Sequence, residues 1–292
     1  MAIDLRDKVI IITGASSGIG AATAIECARA GMDLVLNARR ADRLAAIAAE
    51  VELLGRRAEL VIGSVTDEDL SDRLLDAAEQ RFGGFHAVFA NAGHGLDRPV
   101  IATTPAELRH IFEVNFFASV DLVNAAARRL IERGRRGHLL MNSSCLAKFT
   151  LPHHSAYSAT KAAQNHFCRA MRLELKPEGI EVSSVHPITT TTEFHEVSQS
   201  ISGHVKPDGS VPEHAPRPFV QTPERVARAI VRCLRKPTPE VWTSFIVRAT
   251  AGAMTVFPSM FDFVMRKQAA HERKKLENRK QRTESRKRAA ED

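Results

Sequence analysis

A chain of 292 residues, 44% of them hydrophobic, can bury a substantial core, either as one large α/β domain or as two smaller ones. The four cysteines, Cys27, Cys145, Cys168 and Cys233, are scattered without a CxxC pair, which speaks against a disulfide framework or a zinc site and for reduced thiols in a cytoplasmic protein. The net charge of +7 is local: Arg266 to Asp292 holds 11 Lys or Arg against 5 Asp or Glu, so the body is nearly neutral and offers no basic face for nucleic acid.

The chain opens on "MAIDLRDKVIIITGASSG", where acidic residues precede a short apolar run, so the parts of a secretory signal are missing. That run reads as a strand, Lys8 to Thr13. Further strand-like runs follow at Asp33 to Ala38, Ala58 to Gly63, His86 to Asn91, Gly137 to Ser144, Ile180 to Pro187 and Glu240 to Phe245. Helical periodicity fills the intervals at Gly18 to Ala30, Ala41 to Leu54, Glu68 to Phe82, Ala106 to Arg133, Tyr157 to Lys176 and Pro223 to Leu234. The alternation predicts a single Rossmann-like domain over residues 1–247: a doubly wound parallel sheet of about seven strands with helices on both faces. Ile188 to Gln221 holds four prolines and no long periodic run, and its place after a strand end reads as a substrate lid. An apolar helix over 248–265 and a basic charged tail over 266–292 complete the chain. The helix either covers a hydrophobic edge or partner subunit, or lies in a membrane interface with the tail drawn to anionic lipid.

Three stretches carry chemistry. "TGASSGIG", Thr13 to Gly20, joins the first strand to the first helix; its glycines let the backbone approach a pyrophosphate, and the helix N-terminus presents N–H donors. The G-x-x-x-G-x-G spacing is a variant of the dinucleotide fingerprint, and a plain tight turn is the competing reading. The second strand ends in "NARR", with Arg39 and Arg40 where a NAD-specific protein of this architecture carries an acidic residue; guanidinium groups pair with a 2′-phosphate, which favours NADP(H) over NAD(H). "SAYSATKAA" contains Tyr157, the only tyrosine, one helical turn before Lys161, so that an ammonium can stand near a phenol.

With these residues in place, the chain resembles the short-chain dehydrogenase/reductase family from about Asp4 to Trp242. The motifs occur in the family's order: "TGASSGIG", "NAG" at Asn91 to Gly93, "VNFF" with Asn115, "NSS" with Ser144 thirteen residues before Tyr157, and "YSATK" with Lys161. The resemblance implies an oxidoreductase that moves a hydride between a nicotinamide and a ketone or secondary alcohol, with Asn115, Ser144, Tyr157 and Lys161 as its catalytic residues. It implies a cofactor site formed by Gly14, Ser16, Ser17, Gly18, Ile19, Gly20, Arg39, Arg40, Ser64, Val65, Asn91, Ala92, Gly93, Tyr157, Lys161, Pro187, Thr190 and Thr192, and it implies a homo-oligomer, dimer or tetramer. Three positions depart from the pattern. Ile188 follows Pro187 where glycine is usual, Ser64 stands where an acidic residue reads the adenine, and Ala118 replaces a glycine close after Asn115.

In the family's chemistry Tyr157 exchanges a proton with the substrate oxygen, Ser144 polarises that oxygen, Lys161 bonds the nicotinamide ribose, and Asn115 positions a water in a relay behind Lys161. A free phenol has a pKa near ~10, so the expectation is that the Lys161 cation, with the oxidised nicotinamide ring, brings the Tyr157 pKa down. His94, His153 and His154 can border the substrate, but their spacing matches no metal motif. Cys145 has no neighbouring base in sequence and reads as a packing residue. The apolar lid, with Phe194 and Phe219, points to a hydrophobic carbonyl substrate. A 3-oxoacyl reductase and a non-catalytic NADP(H)-binding sensor or scaffold are the alternatives.

Overall fold

The computed structural model describes residues 2–191, 193–194, 198, 220–259, 261–263 and 266. Thr192, Phe219, most of the expected lid and the tail beyond residue 266 lie outside the described residues. The described chain clusters as two units, Met1–Val247 and Arg248–Asp292.

In the first unit seven strands form one parallel sheet: β1 (Val9–Thr13), β2 (Asp33–Ala38), β3 (Ala58–Ile62), β4 (Ala87–Ala90), β5 (Gly137–Asn142), β6 (Ile180–His186) and β7 (Glu240–Trp242), in the order β3-β2-β1-β4-β5-β6-β7. The helices between them are α1 (Gly18–Arg29), α2 (Ala41–Leu53), α3 (Leu70–Phe82), α4 (Pro105–Phe112), α5 (Ala118–Glu132), α6 (Ser155–Leu175) and α7 (Pro223–Arg235), and α8 spans Phe245–Val256. No helix among the described residues is long and apolar enough to cross a membrane.

The strands read as continuous apolar runs because both faces of the sheet are covered. Successive side chains of β1 go to opposite layers: Ile10 and Ile12 pack with Ala24 and Cys27 of α1 and Ile230 and Leu234 of α7, whereas Val9 and Ile11 pack with Leu74 of α3, Val123 of α5 and Met171 of α6. The parallel register pairs Ile12 with Leu36 on one side and Phe89 on the other, so β1 is central and fully buried. Strand order reverses between β1 and β4, and the crevice outside their carboxyl ends is where folds of this type take ligands.

One local feature differs from the sequence reading. The long helix expected over Ala106 to Arg133 is interrupted by a π turn, Glu113–Phe117. It separates α4, started by Pro105 and a Thr104/Glu107 capping box, from α5. The position after Pro187 does not need a left-handed residue: among described non-glycine residues only Asp7 and His153 have positive φ, so Ile188 fits an ordinary conformation.

The turn after β1 is built for close approach. Gly14 has φ +64, a conformation that L side chains rarely adopt, and a Cβ on Gly20 would overlap the Gly14 carbonyl oxygen and come 2.7 Å from Asn91 Nδ2. Gly20→Ala should therefore cost about 1–3 kcal/mol of stability through overpacking, measurable by urea denaturation. A midpoint equal to that of the unaltered chain would show that the turn yields without penalty.

Candidate active site

The crevice at the strand reversal is assembled from the ends of β1, β4 and β5. Asn91, just past β4, donates its backbone N–H to Thr13 Oγ1 at 3.0 Å and its side-chain amide to the Thr13 carbonyl at 2.9 Å. Asn142, at the end of β5, donates to Asn91 Oδ1 at 2.9 Å. These bonds tie the glycine turn, the Asn91–Gly93 loop and β5 into one frame. Ser17 sits at the N-cap of α1 but makes no side-chain capping bond, which leaves the first-turn amides uncapped by that side chain and facing the turn.

Arg40 closes the far side of the turn. Its guanidinium donates to Ser16 Oγ at 3.2 Å, to Ser17 Oγ at 3.0 Å and to Glu193 Oε2 at 2.9 Å, and Arg43 pairs with the other Glu193 oxygen. These partners hold the Glu193 carboxyl below the usual range, the Arg40 hydrogen bond most of all. Arg39 is exposed. Ser64 and Val65 follow β3, where Asp67 accepts the Ser64 N–H at 2.9 Å. Asp67 is an acidic group that the sequence reading did not single out. Pro187 accepts from Cys145 N at 3.0 Å, and Thr190 Oγ1 donates to the Ile188 carbonyl at 2.8 Å.

Tyr157 and Lys161 lie on α6, one turn apart, with Lys161 Nζ 5.6 Å from the phenol ring centre. The Ser144 side chain lies close enough to Tyr157 to oppose the burial of its phenol; Ser144 stands just past β5 and accepts from Leu146 N at 3.1 Å. The Ser144 carbonyl is held by His186 Nδ1 at 2.9 Å. A carbonyl can only accept, so Nδ1 carries the proton, and the ring is fixed by stacking on Trp242 with centroids 4.5 Å apart. Neither His186 nor Trp242 was marked as a site residue from the sequence; the "VHP" ending of β6 gave no sign that the ring reaches across to β5.

Burial decides the charges here. It pushes the Tyr157 phenol above the ordinary tyrosine value, against the lowering pull of Ser144, and brings Lys161 down to about 7. In Tyr157 itself desolvation is the largest influence, and the one group that pulls its phenol down is Ser144. Burial also raises the Cys145 thiol to about 11, consistent with a packing role, and lowers His94 from its usual value. His153 sits 3.6 Å from Asp97, His154 bonds the Pro152 carbonyl, and His94 stacks on His110. No cluster of metal-binding side chains occurs among the described residues.

Asn115 stands inside the π turn and is fully buried. Its side chain accepts from His94 N at 2.9 Å and donates to the His94 carbonyl at 2.9 Å and to Thr160 Oγ1 at 3.2 Å. It thus ties the loop after β4 to α6. Its carbonyl accepts from Gln164 Nε2 at 2.6 Å, and Gln164 Oε1 in turn accepts from Lys161 Nζ at 3.0 Å. Gln164 was not read from the sequence as part of the site, because a glutamine one turn beyond the lysine looks like any polar helical position.

The sequence profile for short chain dehydrogenases matches residues 8–201. An uncharacterised oxidoreductase of Listeria innocua is 30% identical over 235 residues, covering 80% of this chain and 92% of that protein. Among solved structures, L-sorbose reductase of Gluconobacter frateurii, complexed with NADPH and L-sorbose, superposes with a TM-score of 0.72 at 27% identity, covering 81% of this chain and 92% of that one. A short chain dehydrogenase of Mycobacterium paratuberculosis bound to NAD gives 0.71 at 25% identity, covering 82% and 97%. The chain belongs to the short-chain dehydrogenase/reductase family. It is accordingly a nicotinamide-dependent oxidoreductase acting on alcohols and ketones.

The lowered Lys161 value links the site to stability. Between about pH 7 and the ordinary lysine value the unfolded chain binds a proton that the folded chain does not, so folding gains stability as pH rises through that window. Lys161→Met removes the group. The stability of wild type relative to this variant should rise from pH 7 to pH 9 in urea titrations; a difference independent of pH would contradict the lowered value.

Proposed function

We propose that the chain is an NADPH-dependent carbonyl reductase, reversibly an alcohol dehydrogenase, with a hydrophobic ketone or secondary alcohol as substrate. The observation that carries this reading is the convergence of Ser144, Tyr157 and Lys161 beside the strand-reversal crevice. The glycine turn and uncapped start of α1 fit a pyrophosphate, because Gly14 and Gly20 let the turn close tightly against Asn91 and Ala92 while no Ser17 side-chain bond caps the first-turn N–H groups of α1. The residues from Gly14 to Gly20, with Ser64, Val65, Asn91 to Gly93, Pro187, Thr190 and Thr192, hold the dinucleotide. The nicotinamide, when bound, supplies or accepts the hydride.

The protein's own residues orient the partner and move the proton. The Ser144 hydroxyl holds the substrate oxygen, and Tyr157 Oη gives that oxygen a proton during reduction or takes it during oxidation. Raised by burial, the phenol rests protonated, the form that reduction requires. Lys161 commits two N–H groups to Asn142 O at 2.6 Å and to Gln164, which leaves a third for the ribose. Leu96, Ile111, Ala156 and Phe194 surround Tyr157, with the Phe194 ring 5.5 Å from the phenol, and this apolar lining supports a hydrophobic substrate. Homo-oligomerisation fits the family's habit.

Arg39, exposed just past β2, and Arg40, beside Ser16 and Ser17, support the preference for NADP(H), since a guanidinium would pair with a 2′-phosphate there. The coenzyme assignment predicts that Arg39→Glu lowers the NADPH to NADH ratio of kcat/KM by about tenfold or more, on the order of one charge-assisted hydrogen bond. An unchanged ratio would remove Arg39 from the assignment. For the chemistry, a ketone panel followed by loss of NADPH absorbance should give turnover that Tyr157→Phe reduces by a factor on the order of 10²–10⁴ while NADPH binding persists. Turnover surviving in that variant would reject Tyr157 as the acid, and wild type that binds NADPH yet reduces nothing would point to a sensor.

A further inference from the structure

We propose that Gln164 is a positioning residue of the proton-transfer site: its amide bridges the Lys161 ammonium to the Asn115 carbonyl and fixes the cation next to Tyr157. The inference rests on the reading of Tyr157 as the acid and adds a residue to it.

Gln164 is fully buried, and every polar contact it makes is specific. Oε1 accepts from Lys161 Nζ at 3.0 Å, while Nε2 donates to Asn115 O at 2.6 Å and to Ser119 Oγ at 3.2 Å. The orientation of the amide is forced from both ends. An ammonium only donates and a peptide carbonyl only accepts, so oxygen must face the lysine and nitrogen the asparagine. Ser119 Oγ itself donates to the Asn115 carbonyl at 3.0 Å, which leaves its lone pairs to receive Gln164.

The bridge ends in the π turn. Asn115 lies in a turn wider than the α-helix, and its carbonyl oxygen is met by two side chains, Ser119 and Gln164. Placing an acceptor on Lys161 favours its charged form, opposing the burial that disfavours it. A neutral amide does this without cancelling the charge, so that whenever Lys161 holds its proton the field of the cation acts on the phenol. A carboxylate in the same place would hold the lysine equally well but neutralise it.

The other titratable groups around the pair are His94, from the loop after β4, and Cys145, from the turn after β5. Burial keeps the first toward neutral and the second a thiol, so neither supplies a competing charge near neutral pH.

The test uses the fact that Tyr157 is the only tyrosine, so phenolate absorbance titrates this residue alone. Gln164→Met and Gln164→Glu are compared with wild type in the full chain, free and with NADP+. Both variants should raise the phenol midpoint in the NADP+ complex by at least about half a pH unit, the first by weakening the cation and the second by cancelling it. In parallel, ketone turnover by Gln164→Met should lose about tenfold in kcat with KM within a factor of three.

A phenol midpoint and kcat unchanged in either folded variant would overturn the proposal, even if thermal stability fell. If Gln164→Met does not fold, the Glu variant alone decides by the same readout. Should Tyr157→Phe keep activity, the reading of Tyr157 fails instead, whatever the Gln164 variants do.

Discussion

A buried ammonium is the constraint around which the crevice is organised. Lys161 is 3% exposed, and a lysine taken out of water needs fixed acceptors or it gives up its proton. Its two acceptors come from different parts of the chain. Asn142 offers a backbone carbonyl at the end of β5. Gln164 offers a side-chain oxygen whose direction is set by the π turn two helices earlier. Sheet, turn and helix α6 must therefore all be in register before the lysine has a stable place.

The rest of the fold serves this registration. Central strands covered on both faces hold the ends of β1, β4 and β5 at fixed spacing, and the Thr13, Asn91 and Asn142 bonds lock their tips together. On the other side of α6, the Lys161 carbonyl accepts from Ser143 Oγ at 2.9 Å, so the helix is pinned to β5 directly beside Ser144. His186 then fixes the Ser144 backbone from β6. Local hydrogen bonds among buried groups give the site its rigidity.

Much of this was legible in the sequence because it follows from apolar runs and a few spaced motifs. The seven strands fall within three residues of their expected ends, since a strand buried on both faces is an unbroken run of Val, Ile and Leu. The interruption at Glu113–Phe117 was not legible: the apolar spacing continues through it, and the signal for a π turn lies in the partners of one carbonyl, Ser119 and Gln164, the second of them 49 residues away. Gln164 and His186 escaped notice for the same reason. Their meaning depends on contacts that cross elements, whereas Tyr157 and Lys161 announce themselves by spacing on one helix.

Burial also explains why phenol and amine are displaced in opposite directions. Desolvation penalises whichever form is charged, so it raises the tyrosine and lowers the lysine, and each group alone is driven toward neutrality. The two charges attract each other, however. At an effective dielectric constant near 20, opposite charges about 6 Å apart gain roughly 3 kcal/mol, equivalent to about two pH units. That attraction is realised only when phenolate and ammonium exist together. Burial thus opposes ionisation of the tyrosine, a charged lysine would offset part of that cost, and Asn142 and Gln164, which accept from the lysine, stand one contact away from the phenol.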